Sequence, residues 1–174
     1  MGSTTACFRS LNAPLRNRGA TAPHAFAATV SFLAEAILRL RSNHAHHDDL
    51  SSSLELDLWR GMGHVRVSED LVRVGGTEMA CMSTSSDPGV ALGYAAPGKV
   101  GVLFKITTTT PLQRGADLRW VSAFPAEMEF LYPPLVFLRP TGKTCTIQLQ
   151  MPSSQPPAPA GTVDVVVIEV EPQL

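Results

Sequence analysis

Cysteine is scarce: Cys7, Cys81 and Cys145 are the only three in 174 residues, and they lie far apart. An odd, widely spaced set cannot build a disulfide framework, so a reducing, intracellular compartment is the better fit. Neither sign of charge predominates, with 14 Lys+Arg against 15 Asp+Glu and a formal net charge of -1. Without a basic excess, charge-driven binding of a nucleic-acid backbone is excluded. No stretch of 18 apolar residues occurs, which excludes a typical transmembrane helix, and no membrane partner is expected. Against these absences, 44% of the residues are hydrophobic and 17% charged. That is a globular composition, at a length suited to one domain.

Residues 1–34 carry Arg9, Arg16 and Arg18 and no acid. Residues 1–24 therefore read as a disordered tail, with an organelle-targeting segment as the alternative. Residues 25–174 read as a single domain. Phe26, Val30, Leu33, Ile37 and Leu40 form one apolar stripe, which predicts a core-packing helix from Ala25 to Arg41. His44-Ala45-His46-His47-Asp48-Asp49 could supply metal ligands, but no further ligand pattern accompanies it. It reads as a polar loop, and no metal is expected.

From Leu54 the periodicity changes to alternation, predicting a strand that Arg60-Gly61 closes. A short helix is expected over 68–74, with Ser68 as N-cap and Gly75 as stop. Glu78 to Ser85 reads as one strand, and Asp87-Pro88 opens a helix through Tyr94. Further strands are expected over 100–107, 135–138, 144–150 and 163–170. A Pro-rich loop covers 152–160. Gly61-Met62-Gly63 is not a dinucleotide fingerprint, because Arg66 stands where the third Gly belongs. Gly142-Lys143-Thr144 lacks the upstream Gly of a P-loop, and no Gly-x-Ser-x-Gly nucleophile elbow occurs.

Three segments remain that can carry chemistry: Arg60 at a strand end, Ser83-Thr84-Ser85, and Glu127-Met128-Glu129 in an otherwise apolar stretch. In an extended chain, side chains at i and i+2 share a face, so Glu127 and Glu129 would point the same way. Two carboxylates on one face repel unless something positive lies between them. A site that grips a cation with one and stabilises a cationic transition state with the other gains from that arrangement.

Together, in this order, the three segments resemble the mono-ADP-ribosyltransferases of the arginine–serine–glutamate, cholera-toxin-like group. The resemblance runs from about Leu56 to Gly142, and Ser122, Phe124-Pro125 and Tyr132-Pro133-Pro134 frame the glutamates. It departs at Trp59, where the family more often has Tyr, and in a short N-terminal part with one visible helix. The implied fold is α+β: a split two-sheet β core with an NAD cleft and flanking N-terminal helix or helices. The implied activity is that of an NAD(P)-dependent protein-arginine ADP-ribosyltransferase. It would use NAD as co-substrate and an acceptor protein with an exposed arginine as partner.

Carried over residue by residue, the resemblance implies that Arg60 contacts the NAD phosphates and that Gly61 backbone groups hold the nicotinamide amide. It implies that Ser83 orients Glu129 and touches the ribose, while Thr84 and Ser85 shape that strand end. Glu129 would bind the ribose 2'-hydroxyl and stabilise the oxocarbenium-like cation as nicotinamide leaves. Glu127 would bind the guanidinium of the target arginine. The alternatives are an NAD glycohydrolase and a catalytically dead NAD-fold binding module.

Overall fold

The computed structural model describes residues 6–17, 19, 21–47, 55–65, 67–96, 100–151 and 161–174. Two helices come first, α1 (Ala6–Arg16) and α2 (Ala27–His47). Strand β1 (Leu56–Gly63), helix α3 (Glu69–Val74) and strands β2 (Gly76–Glu78) and β3 (Met82–Ser85) follow. Then come helix α4 (Pro88–Ala95) and strands β4 (Val100–Thr108), β5 (Ala116–Asp117), β6 (Glu129–Tyr132), β7 (Val136–Met151) and β8 (Gly161–Gln173).

The eight strands are hydrogen-bonded in the order β2-β7-β8-β4-β1-β3-β6-β5. The series is almost cut in one place. β1 meets β4 along its whole length, from Leu56↔Thr108 to Gly63↔Gly101, but meets β3 at Trp59↔Ser85 alone. Five strands thus form one sheet and three form another, and the split two-sheet core expected from the resemblance is present. Among the described residues β4 and β8 are the only parallel strand pair. The edge strands β2 and β5 have three and two residues, too short to invite further pairing.

The main core lies against the inward faces of both sheets and includes Leu58, Met82, Phe104, Ile106, Tyr132 and Ile168. Burying each such side chain is worth roughly 1.5–3 kcal/mol. A second cluster on the other face of the large sheet joins Leu103 and Val165 to Ala91 and Ala95 of α4. That helix comes close because β1 and β4 present glycines to it. A Cβ on Gly61 would lie 1.7 Å from the Ala91 carbonyl oxygen, and one on Gly101 2.2 Å from that of Ala95.

Several expectations need correction. Residues 6–16, inside the stretch read as a tail, form a helix, so the N-terminal part holds two helices and not one. Helix α2 continues to His47, so the histidine run is helical and not a loop. Asp48, Asp49 and the Pro-rich 152–160 lie outside the described residues. The strand expected over 78–85 is broken in two: Glu78 Oε1 accepts from the Ala80 N–H at 3.0 Å, turning the chain between β2 and β3. The strands expected over 135–138 and 144–150 are one, β7, interrupted by a bulge between Pro140 and Thr144. Gly142 takes φ +87° within that bulge, and Lys143 and Thr141 flank Glu169 of β8. The Gly-Lys-Thr sequence is thus a β-bulge.

Candidate active site

β3 carries the Ser-Thr-Ser segment into the narrow junction between the two sheets, and β6 runs antiparallel beside it. The register pairs Ser83 with Leu131 and Ser85 with Glu129. Each hydroxyl then has a fixed role. Ser83 Oγ donates to Glu129 Oε1. Thr84 Oγ1 donates to the Phe130 carbonyl at 2.9 Å, and Ser85 Oγ to the Glu127 carbonyl at 2.6 Å. Ser83 faces the cleft, whereas Thr84 and Ser85 are fully buried and hold the strand that bears the glutamates.

The glutamates do not share one extended face. Glu127 ends a 3-10 turn (Pro125–Glu127), Met128 takes the left-handed conformation (φ 48°, ψ 51°), and only Glu129 begins β6. The kink separates their roles spatially. Glu129 lines the cleft beside Ser83, while Glu127 is reached by Tyr94 of α4, whose hydroxyl donates to Glu127 Oε1 at 3.0 Å.

Arg60 lies on β1, across the junction. Its Nη1 donates to the Ser83 carbonyl at 2.8 Å, so the arginine and the serine segment are directly joined. Its Nη2 lies 3.8 Å from Glu78 Oε2, and its side chain is 12% exposed. Burial pushes its pKa down, partly offset by Glu78 and reinforced by Arg16. Glu78 also takes a fork from Arg16 of α1, at 2.9 Å to Nε and 3.1 Å to Nη2. Two guanidiniums therefore share one carboxylate at this end of the cleft.

The cleft has a volume of about 590 Å³. Leu11 and Leu15 of α1 and Val30, Leu33 and Ile37 of α2 form one wall, and Arg60, Gly61, Ser83 and Glu129 the other. The stripe predicted for α2 thus lines a cavity as well as packing a core. Sequence reasoning missed Glu78, Tyr94 and α1. Cys81 also lines the cleft, and burial raises its thiol pKa. Among the described residues no helix is long and apolar enough to cross a membrane, and no group of three or more His, Cys, Asp or Glu is placed to hold a metal.

Neither a protein-family model nor a curated protein matches the sequence. Solved structures do match. HopU1 of Pseudomonas syringae, an ADP-ribosyltransferase, superposes with a TM-score of 0.57 at 18% identity, over 95% of this chain and 66% of its own. The enzymatic component C2-I of the Clostridium botulinum C2 toxin gives 0.62 at 13% identity, over 99% of this chain and 41% of its own. This chain has the ADP-ribosyltransferase fold. The same fold occurs in Vis, an ADP-ribosyltransferase from Vibrio splendidus solved in complex with agmatine, at a TM-score of 0.52 and 19% identity, over 99% of this chain and 71% of its own. The chain spans less than two thirds of HopU1 and well under half of C2-I.

Proposed function

We propose that this protein transfers ADP-ribose from NAD to the guanidinium of an arginine on an acceptor protein, releasing nicotinamide. The observation that carries the reading is the Ser83–Glu129 hydrogen bond beside a buried Arg60 at the junction of the two sheets. Support for NAD as the co-substrate comes from the make-up of the cleft. Its volume suits a nucleotide-sized ligand, its walls are largely apolar, and one end carries the Arg16–Arg60 pair with a single carboxylate between them. NAD supplies the ADP-ribosyl group and a nicotinamide leaving group.

The protein's own residues divide the work. Arg60, fixed by the Ser83 carbonyl, offers positive charge for a diphosphate. Ser83 holds Glu129 in one orientation, and Glu129 presents negative charge where positive charge develops as the glycosidic bond breaks. Glu127, at the rim and oriented by Tyr94, pairs with the acceptor guanidinium. Agmatine, found with Vis, carries that guanidinium on a small molecule and is the acceptor to use.

The test is incubation with NAD and agmatine, followed by mass spectrometry for ADP-ribosyl-agmatine, with Glu129→Gln as control. The expected result is an adduct that falls at least about a hundredfold in the variant, the scale of losing one electrostatic stabiliser of a transition state. Free ADP-ribose without adduct would make the protein an NAD glycohydrolase. An adduct undiminished in Glu129→Gln would remove Glu129 from the chemistry.

A further inference from the structure

Strand β7 is long, and its outer side is covered at one end. In the order β2-β7-β8, β2 pairs with Val136, Phe137 and Leu138, while β8 follows β7 as far as Met151. Among the described residues, no strand pairs with the outer edge of β7 beyond Leu138. An open edge of that length is a template for another strand, and proteins ordinarily blunt it with charge, proline or a bulge. Here those devices all lie before Thr144: Pro140, the bulge between Pro140 and Thr144, and Lys143. From Thr144 to Gln150 the sequence Thr-Cys-Thr-Ile-Gln-Leu-Gln has no charge, no proline and no glycine.

The two faces of this segment differ. Cys145, Ile147 and Leu149 alternate with Thr144, Thr146, Gln148 and Gln150. On the first face the residues stand beside Val167, Val165 and Val163 of β8. Ile147 and Leu149, both half-buried, carry the apolar cluster of Leu103, Val165, Ala91 and Ala95 out to the rim of the sheet. On the second face the threonines and glutamines are exposed. The residues after β7 include Pro152, Pro156, Pro157 and Pro159, which have no N–H to give a neighbouring strand.

We propose that a second copy of this chain pairs with this edge, antiparallel, Thr144–Gln150 against Thr144–Gln150, about a twofold axis that passes Ile147 perpendicular to the sheet. In that register the sequence is its own complement. Ile147 meets Ile147 and Cys145 meets Leu149 on the apolar face; Thr146 meets Gln148 and Thr144 meets Gln150 on the polar face. A slip of one residue would set each apolar side chain against a polar one. No charge on the segment opposes its own copy, and a formal net charge of -1 per chain adds little repulsion. A charged foreign strand finds nothing on this edge to pair with, whereas the chain's own copy matches it on both faces. The two apolar clusters then join across the axis. The paired segment is about 24 Å long, which makes a small interface, and a Kd of about 10–100 µM is expected. None of these residues lines the larger cleft, so the pairing is independent of the reaction there.

The test is sedimentation velocity of the full chain from about 1 to 300 µM, with a reductant present so that the exposed Cys145 forms no disulfide. The wild type is expected to pass from one copy to two over that range. Thr146→Lys/Gln148→Lys sets like charges opposite each other on both sides of the axis and should weaken the dimer about tenfold or more. Thr146→Glu/Gln148→Lys sets opposite charges there and should keep it within about threefold of the wild type. The two variants differ at one exposed position, and in both a lysine at 148 keeps Asp164, the partner of Gln148, beside it. Circular dichroism and thermal midpoints check that both keep the wild-type fold. A chain that stays monomeric to about 300 µM would overturn the pairing. So would a dimer that Thr146→Lys/Gln148→Lys leaves intact, because the contact then lies elsewhere. Loss of the dimer to the same degree in both folded variants would overturn the register at Ile147.

Discussion

Tyr94 reaches from helix α4 to the rim of the cleft and donates its hydroxyl to Glu127 Oε1 at 3.0 Å. The two residues are 33 apart in sequence, and what brings them together is the close approach of α4 to β1 over Gly61.

Tyr94→Phe removes this hydrogen bond while keeping the ring. Glu127 then loses the hydrogen bond that ties it to α4, whereas the bond between Ser83 and Glu129 is untouched. Transfer to agmatine should fall about tenfold, the equivalent of about 1.4 kcal/mol and at the low end for a hydrogen bond to a charged group. NAD hydrolysis should stay within about twofold. Steady-state assays of both products check the split; equal losses in the two would place Tyr94 in general folding and not in acceptor positioning.

Glu78 bears on two arginines unequally. Arg16, 39% exposed at its side chain, can return to water when the carboxylate is removed; Arg60, at 12%, cannot. Glu78→Gln should therefore destabilise the protein by roughly 1–3 kcal/mol, the cost of an uncompensated buried group. Arg16→Ala should cost no more than about 1 kcal/mol, as partly exposed ion pairs do. Urea denaturation of both variants compares them, and equal costs would mean that Arg60 does not depend on Glu78.

The local signals were readable from sequence because they are set by neighbours in the chain. Ser68 accepts from the Leu71 N–H and Gly75 ends α3 at φ +93°, and Asp87 caps α4 with Pro88 in its first turn, all as the residue types dictate. Arg60, Ser83, Glu127 and Glu129 were readable as a set because their order and types form a pattern. How the glutamates are displayed was not, since it depends on Met128 adopting a left-handed conformation that no residue type there announces. Glu78 and Tyr94 carried no signal of their own: each acts through a contact made only after the sheets assemble. Helix α1 was missed because Pro14 lies inside it and because its apolar side chains Leu11 and Leu15 line a cleft that exists only in the assembled fold.

A pH dependence follows from the bulge of β7. Glu169 is held below its ordinary pKa chiefly by a hydrogen bond from Lys143, with Lys105 and Thr141 adding to it against burial. Lys105 is raised chiefly by its hydrogen bond with Asp57. A depressed carboxylate stabilises the fold above its unfolded pKa, and that share is lost as pH falls through the folded value. A raised ammonium stabilises below its unfolded pKa, and its share is lost as pH rises through the folded one. The cluster is therefore fully effective between the ordinary glutamate and lysine values, 4.5 and 10.5. Glu169→Gln should cost about 1 kcal/mol at neutral pH. The gap to the wild type should close as pH falls below the ordinary carboxylate range, and equilibrium unfolding at pH 7 and pH 3 checks both ends.

Gly61 is the position where fold and candidate site make demands on the same atoms. Its backbone lines the cleft, and on the other side its missing Cβ admits α4, the helix that delivers Tyr94. An added methyl would lie 1.7 Å from the Ala91 carbonyl oxygen and 2.8 Å from the Ala95 nitrogen. Both atoms are helix backbone, so no side-chain rotation relieves the contact and α4 must move as a body. Gly61→Ala should therefore destabilise the protein by about 3 kcal/mol or more, at the upper end of overpacking. In whatever fraction stays folded, transfer to agmatine should fall further than NAD hydrolysis, because Tyr94 moves with α4 while the Ser83–Glu129 pair stays with β3 and β6. Gly93→Ala is the matched control: a Cβ there meets nothing within 4 Å, and alanine favours the helix. Denaturation midpoints and product ratios for the two variants decide the matter. A Gly61→Ala protein as stable as Gly93→Ala would mean that α4 does not rest on β1 as described.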